Sequence, residues 1–368
     1  MGRYSEQLIA EVRLALTPGV GPRLRANLIA RFGSANDVVR QPVSVLTSTS
    51  GIGPKLAEAL AAARGIDVEA ELSAAAEAGV VPLALDDPHY PEPLRSICDP
   101  PGVLFVRGDP LPDDRLAVAI VGSRHATRYG LRQAETLARE LARAGVVVVS
   151  GLARGIDGAA HRGALEAGGR TIAVLGGGLL RLYPPEHAGL ADRVAAQGWL
   201  MSEAPPNRPP ISGAFPQRNR VISGLSLGVV VVEAAQRSGA LITTTHAAEQ
   251  GRDVFAVPGP IDSPLSAGCH RLIQDGAKLV ASVDDILEEI DSASSLRQSA
   301  APAPQSAPTP ELNDTERAVW GLVSTAPTAI DTIVERSGLG AAAVLSTLSG
   351  LEMRGIVRRH SGAFVARS

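Results

Sequence analysis

The residue types able to do chemistry concentrate between Phe215 and Thr245, FPQRNRVISGLSLGVVVVEAAQRSGALITTT. Arg218-Asn219-Arg220 is a basic cluster at the opening of a helical run. Gly228 to Ala234 is a β-branched run expected of a strand buried on both faces of a parallel sheet. Arg237-Ser238-Gly239 then turns into a second helix, Ala240 to Gln250. Backbone N–H groups of Ser238 and Gly239, left unpaired where that helix begins, would suit an anionic phosphate. Taken alone, the stretch reads equally as a phosphate-handling edge or as a helix cap beside two solvated arginines.

Further glycine turns have the same character: Gly122-Ser123-Arg124, Gly151-Leu152-Ala153-Arg154-Gly155, Gly176-Gly177-Gly178 and Pro258-Gly259. Each follows an expected strand, within Ala117–Gly122, Val146–Gly151, Thr171–Gly176, Trp199–Ala204, Val229–Ala234 and Asp253–Gly259. Helical patterns at Gly130–Ala144, Ile156–Ala167 and Glu186–Gln197 alternate with the strands, the signature of a parallel α/β sheet with right-handed crossovers. In such sheets ligands bind outside the carboxyl ends of the strands, so the turns should line one crevice with Arg124, Arg154, Arg181 and Arg237 near it. Gly122-Ser123-Arg124 is not G-x-G-x-x-G and no acid ends the second strand, so dinucleotide binding is not expected, nor any other cofactor.

The chain of 368 residues suits two or three domains, and its core must be aliphatic, with 45% hydrophobic but 3% aromatic residues. A formal net charge of −3 excludes a polycation. Between Arg124 and Arg252, however, fifteen arginines face nine acids, a local positive excess. Lys55 and Lys278 are the only lysines; arginine forks hold phosphate and stack on bases, though a GC-rich genome gives the same bias. Cys98 and Cys269 have no CxxC partner, so neither metal nor disulfide is inferred. No signal peptide or membrane-length apolar run is read, and a soluble, cytoplasmic protein is expected.

Residues 1–80 read as a small helical domain with two similar turns, Gly19-Val20-Gly21-Pro22 and Gly51-Ile52-Gly53-Pro54, each leading a helix (Arg23–Phe32 and Lys55–Arg64). The turns resemble helix-hairpin-helix motifs, which present backbone N–H groups to phosphate, but they also serve as packing modules. Asp86–Pro101, with five prolines, is expected as an extended crossing without helix. The α/β domain is assigned to 81–290, a Ser/Ala/Pro linker to 291–311 and a winged helix to 312–368. In that last domain Asn313 and Glu316 form a capping box for Thr315–Val323, with Ile330–Ser337 and Ala341–Arg354 as the helix-turn-helix and Ile356–Val365 as the wing. The second helix has no cation before Arg354, so DNA reading and a protein contact both remain open, with Arg358 and Arg359 the wing's basic patch.

The blocks IVGSR (120–124), SGLARGID (150–157), TIAVLGGGL (171–179), SEAPP (202–206), FPQRNRVISGLS (215–226), RSGALIT (237–243), EQGRDVFAVPG (249–259) and GCHRLIQDGAKLV (268–280) together resemble the DNA-processing protein A (DprA/Smf) family. The likeness covers the central 170 or so residues, with a sterile-alpha-motif-like N-terminus and a winged-helix C-terminus also fitting. It implies an extended Rossmann-like fold binding no NAD. It further implies a sequence-independent single-stranded DNA binder that protects incoming DNA in natural transformation and helps load the RecA recombinase. The protein would act as a homodimer through the last part of the sheet, roughly Leu241–Leu279. On the family pattern Arg124 in Gly122-Ser123-Arg124, the backbone around Gly151, Arg218-Asn219-Arg220 and Ser238-Gly239 would hold the DNA backbone, with Arg154 and Arg181 beside them in the crevice. A lysine common in the family after Tyr-Pro is Pro185 here, so Arg181 or His187 would have to substitute. Tyr183 and Phe215 are the available stacking platforms.

The alternative is a nucleotide-processing enzyme, since related sheets include phosphoribohydrolases. Pro258-Gly259 runs on to Pro260-Ile261, so the phosphate loop of those enzymes is missing. Asp157, Glu203 and Glu233 are the remaining acidic candidates, read as a helix cap, a strand follower and an orienter of Arg218 or Arg220. His161 and His246 read as satisfied helical histidines, and no catalysis is expected.

Overall fold

The structure is a computed structural model that describes residues 4–290, 312–323, 328–354, 357–360 and 364–367. The described residues form two compact units, divided by the segment expected to be the linker, which lies outside them.

Six helices open the first unit: α1 (Glu6–Leu16), α2 (Pro22–Phe32), α3 (Ala35–Arg40), α4 (Val43–Thr47), α5 (Pro54–Ala62) and α6 (Val68–Glu77). Both expected hairpin turns are present, with Gly19 and Gly51 at φ +87° and +83°. Gly21 and Gly53 cap helices that begin at proline, whose fixed φ and missing N–H suit a first turn.

The nine-stranded sheet consists of β1 (Val81–Ala84), β2 (Val103–Gly108), β3 (Ala117–Gly122), β4 (Val147–Ser150), β5 (Thr171–Leu175), β6 (Trp199–Ser202), β7 (Gly228–Val232), β8 (Asp253–Ala256) and β9 (Lys278–Leu279). Its order is β1-β2-β6-β5-β4-β3-β7-β8-β9. The run from β6 to β9 is parallel as expected, whereas β1 and β2 add an antiparallel edge that the sequence reading did not include. The Pro-rich crossing also differs from expectation, because Glu92–Arg95 turns as one short helix, α7, that begins directly after Pro91. Four residues suffice there because proline at the first turn costs no hydrogen bond.

Between the strands lie α8 (Arg128–Arg143), α9 (Ile156–Glu166), α10 (Ala188–Gln197), α11 (Ala214–Leu225), α12 (Ala240–Glu249), α13 (Ala267–Gln274) and α14 (284–290). Strand alternation sets the two cores. Ala117, Ala119 and Val121 of β3 face α11 and α12, while Val118 and Ile120 face α8 and α9. On α8 the buried positions Gly130, Ala134, Leu137, Ala138 and Leu141 form one stripe, and Thr127 caps its first turn by accepting from the Gly130 N–H at 3.2 Å.

The second unit holds α15 (Asp314–Leu322), α16 (Ile330–Ser337), α17 (Ala341–Met353) and a three-stranded sheet of β10 (Thr328–Ala329), β12 (Phe364–Arg367) and β11 (Val357–His360). The expected capping box forms: Asn313 accepts from the Glu316 N–H at 2.8 Å and Glu316 from the Asn313 N–H at 3.0 Å. This is the winged helix. The side chains of Arg358 and Arg359 and the turn at Ser361-Gly362 lie outside the described residues.

Candidate nucleic-acid interface

The chain runs from β3 through β4 and β5 to one side of the sheet and from β7 through β8 to the other. The switch of direction leaves a gap outside the carboxyl ends of β3 and β7, the place where open α/β sheets bind ligands. An open cavity of about 470 Å³ lies there, reached by Gly122-Ser123-Arg124 from β3, Phe215, Arg218 and Asn219 from α11, and Ser238-Gly239 before α12. A narrower recess of about 20 Å³ continues it past Arg124 and Phe215 to Gly151, Arg154 and Tyr183. The turns after β3, β4 and β5 therefore converge on one crevice, whereas Pro258-Gly259 after β8 does not line it.

Cations and rings interleave along its wall. The Arg124 guanidinium sits 4.9 Å from the Phe215 ring centre. Phe215 and Tyr183 lie 6.0 Å apart at a 55° tilt, and Arg154 stands 5.5 Å over Tyr183. Arg124 is exposed and Tyr183 is 41% exposed, so both remain open to a ligand. Arg154 is already paired with Glu186 and donates to the Tyr183 hydroxyl at 3.2 Å, which ties up part of its charge. Arg181 is exposed on the neighbouring loop but lines neither cavity.

Beneath the crevice Arg218 is only 7% exposed. Its Nη1 donates to the Gly151 carbonyl at 2.8 Å and also to the Val174 carbonyl. Burial lowers its pKa to about 10, with Asp157 opposing the shift and Arg124 adding to it. Asp157, at the start of α9, accepts from the Gly151 and Ala153 N–H groups at 3.2 and 3.4 Å. Burial raises its pKa while Arg218 pulls the other way. Both backbone groups of Gly151 are thus committed within the protein. A side chain there would collide with the Arg218 guanidinium, so packing rather than phosphate approach explains this glycine.

The expectations for Arg220 and Ser238 also require correction. Arg220 does not face the crevice. Residues two apart on a helix point about 200° apart, so Arg218 and Arg220 cannot share one cavity. Arg220 instead turns inward at 4% exposure, donating to Glu203 at 2.6 Å and to the Asp99 carbonyl at 2.5 Å. Nor does Ser238 offer a free N–H, because it donates to the Ala235 carbonyl at 3.0 Å. Past Gly239, the N–H groups of Ala240, Leu241 and Ile242 donate to the Ser238 hydroxyl, the Ser238 carbonyl and the Gly239 carbonyl. Asn219 keeps its place on the wall, held by a bond from its amide to the Gly239 carbonyl at 3.1 Å.

The acidic candidates are equally committed. Glu203 pairs with Arg220. Glu233 orients neither Arg218 nor Arg220; its carboxylate accepts from the Thr127 N–H and hydroxyl at 2.8 and 2.5 Å. His161 is fully buried against Thr171 at 2.7 Å, and burial lowers its pKa to about 3, so it is neutral at ordinary pH. Pro210, Ser212 and Leu265 also border the crevice, though no sequence signal marked them, since they come from loops whose return to the sheet is a tertiary fact. Among the described residues no cluster of His, Cys, Asp or Glu could hold a metal ion, and no helix is long and apolar enough to cross a membrane.

A doubly wound sheet with an arginine- and aromatic-walled crevice at its switch point, and without a dinucleotide fingerprint, defines a Rossmann-like α/β fold whose crevice suits an anionic ligand. The chain belongs to the DNA recombination-mediator protein A family, whose model matches residues 82–291. A DprA winged helix domain matches residues 301–363, and a SAM-like helix-hairpin-helix tandem matches 13–64 and 43–80. The chain is 47% identical over 220 residues to the DNA processing protein DprA of Bacillus subtilis, covering 60% of this chain and 74% of that one. The X-ray structure of DNA processing protein A from Streptococcus pneumoniae aligns with a TM-score of 0.66 and 38% identity, over 76% of this chain and 97% of that one. A structure of DNA processing protein A from Helicobacter pylori, described for its single-stranded DNA binding mode, aligns with a TM-score of 0.51 and 30% identity over 59% and 96%.

Proposed function

We propose that this chain binds single-stranded DNA in the crevice, independently of sequence and without catalysis, as a cytoplasmic recombination mediator. The observation that carries the reading is the wall of Arg124, Phe215, Tyr183 and Arg154, in which cations alternate with rings at the switch point. Guanidinium groups neutralise phosphates and rings stack on any base, so neither contact discriminates sequence. The contacts proposed for the DNA backbone are Gly122, Ser123, Arg124, Arg154, Asn219 and Gly239, with Arg218 supplying positive potential from beneath. Arg181 and Arg237 are exposed beside the crevice and extend its field.

Homodimerisation through 241–279 fits the exposed apolar side chains Ile261 and Leu279, which are 95% and 44% exposed. Delivery of the strand to RecA rests on family membership alone and is tested by RecA filament growth on protein-coated strands. The test of the central reading is anisotropy of labelled oligo-dT and mixed-sequence oligomers across a salt series. With Arg154 held by Glu186, the exposed Arg124, Arg181 and Arg237 predict a slope of log affinity on log salt of about −2, at roughly 0.7 per phosphate. A flat dependence, or strong preference for one sequence, overturns the reading. Release of free base from nucleoside monophosphates would establish the enzyme alternative in its place.

A further inference from the structure

Arg124 sits in a turn, 123–127, that connects β3 to α8 and has no regular structure of its own to hold it. Its position over Phe215 therefore depends on whatever fixes that turn. The Ile156 N–H holds the Ser123 carbonyl at 3.2 Å, and one residue just past the neighbouring strand ties both ends of the turn. The Glu233 carbonyl accepts from the Ser123 N–H at 2.8 Å, and its carboxylate accepts from the Thr127 N–H at 2.8 Å and the Thr127 hydroxyl at 2.5 Å. Both ends of the turn are thus tied to a single residue at the end of β7, across the switch point.

The surroundings are built to this arrangement. Glu233 has φ +63°, left-handed backbone that is uncommon for a residue with a side chain and that is kept only where its surroundings over-determine it. Gly130 in the first turn of α8 has no side chain, and a Cβ there would collide with the Glu233 carboxylate. Thr127 in turn accepts from the Gly130 N–H, so carboxylate, hydroxyl and helix start form one chain of bonds. Glu233 itself is 5% exposed and does not line the crevice, so it does not touch a ligand.

We infer that Glu233 is a positioning residue for DNA binding: it pre-organises the turn so that the Arg124 guanidinium is presented over Phe215 before a strand arrives. The inference rests on the proposed DNA-binding function of the crevice. Without the tie, the turn samples other conformations and binding must order it, which lowers affinity without removing any group that touches DNA.

The test combines a thermodynamic cycle with a probe that needs no DNA. Glu233→Gln keeps the side-chain shape but faces the Thr127 N–H with one fewer acceptor; Thr127→Val removes the hydroxyl and leaves Glu233 in place, and Thr127→Ser restores it. Oligo-dT affinity is expected to fall about five- to tenfold in Glu233→Gln and Thr127→Val, and to recover in Thr127→Ser. In Arg124→Ala/Glu233→Gln the loss should be no larger than in Arg124→Ala alone, because effects that act through one group are not additive. The salt slope of Glu233→Gln should shift toward that of Arg124→Ala, which a general loss of stability does not produce. Independently, trypsin cleavage after Arg124, relative to cleavage after the exposed Arg237, should accelerate about tenfold in Glu233→Gln without DNA, as a local opening requires. Multiplicative losses in the double variant, or an unchanged cleavage ratio, overturn the inference. A wild-type protein that fails to bind oligo-dT while the cleavage ratio still rises would sink the proposed function and leave the tie between Glu233 and the turn standing.

Discussion

Replacing Arg220 with alanine separates the structural arginine from the binding ones. The guanidinium is 4% exposed and holds Glu203 at 2.6 Å and the Asp99 carbonyl. Breaking a buried pair by removing one partner costs about 3–5 kcal/mol, because the remaining charge stays desolvated. The Glu203 side chain retains 27% exposure, which places the loss at the lower end, near 3 kcal/mol. At roughly 2–4 °C per kcal/mol for a unit of this size, the melting temperature should fall by about 6–12 °C. Burial already holds the Glu203 pKa above its usual value, with Arg220 opposing, and removing Arg220 raises it further. A carboxyl with a raised folded-state pKa takes up protons in the folded state first, so its stabilising effect is present at low pH and lost as pH rises. The deficit of the variant should therefore shrink between pH 7 and pH 5. Circular dichroism melts at both pH values measure this, with oligo-dT binding assayed at a temperature where the variant is folded. Binding by the folded variant should stay within about twofold of wild type, since a surface away from the contact leaves affinity unchanged. A variant that melts within 2 °C of wild type but loses tenfold or more in affinity would show that Arg220 meets DNA, and would refute the geometry argued from the helix phase.

Other outcomes follow from the same structure. Arg124→Ala should weaken binding to all sequences equally and flatten the salt slope by about 0.7, with melting unchanged, as anisotropy and calorimetry would show. Phe215→Ala removes the ring between Arg124 and Tyr183 and should cost about 1–3 kcal/mol of binding, again independent of sequence. His161, buried neutral with a pKa near 3, binds protons in the unfolded chain at a higher pH than in the folded one. Its contribution is therefore present above pH 6.5 and lost as pH falls toward 3, so His161→Gln should flatten the pH dependence of stability over that window in urea melts. Removing the residues after 311 should leave oligo-dT affinity within about tenfold of the full chain, because the crevice lies wholly in the first unit.

The parallel strands were legible because a strand buried on both faces must be almost wholly apolar, as in Ala117–Gly122 and Gly228–Val232. β1 and β2 were not, because Val103–Gly108 comes straight after Pro100-Pro101-Gly102 and its antiparallel partners, 81–84 and 199–202, are set by long-range pairing. The crevice was legible from a topological rule that places ligands at strand ends. Which arginines enter it was not, since that depends on the phase of α11, and the helix starts at Ala214 rather than at the basic cluster. The role of Glu233 was likewise hidden: its partner Thr127 is 106 residues away and carries no motif.

The first six helices do more than precede the sheet. Leu8, Val12, Val68 and Leu72 share a buried cluster with Phe105 of β2 and Leu200 of β6, and Arg25 of α2 ties Glu11 of α1 to the Pro100 carbonyl. Through this seam of α1 and α6, residues 4–290 should absorb their unfolding enthalpy in a single calorimetric peak. A chain cut just ahead of β1 would turn that greasy seam toward water, and its first partner would be another copy of itself.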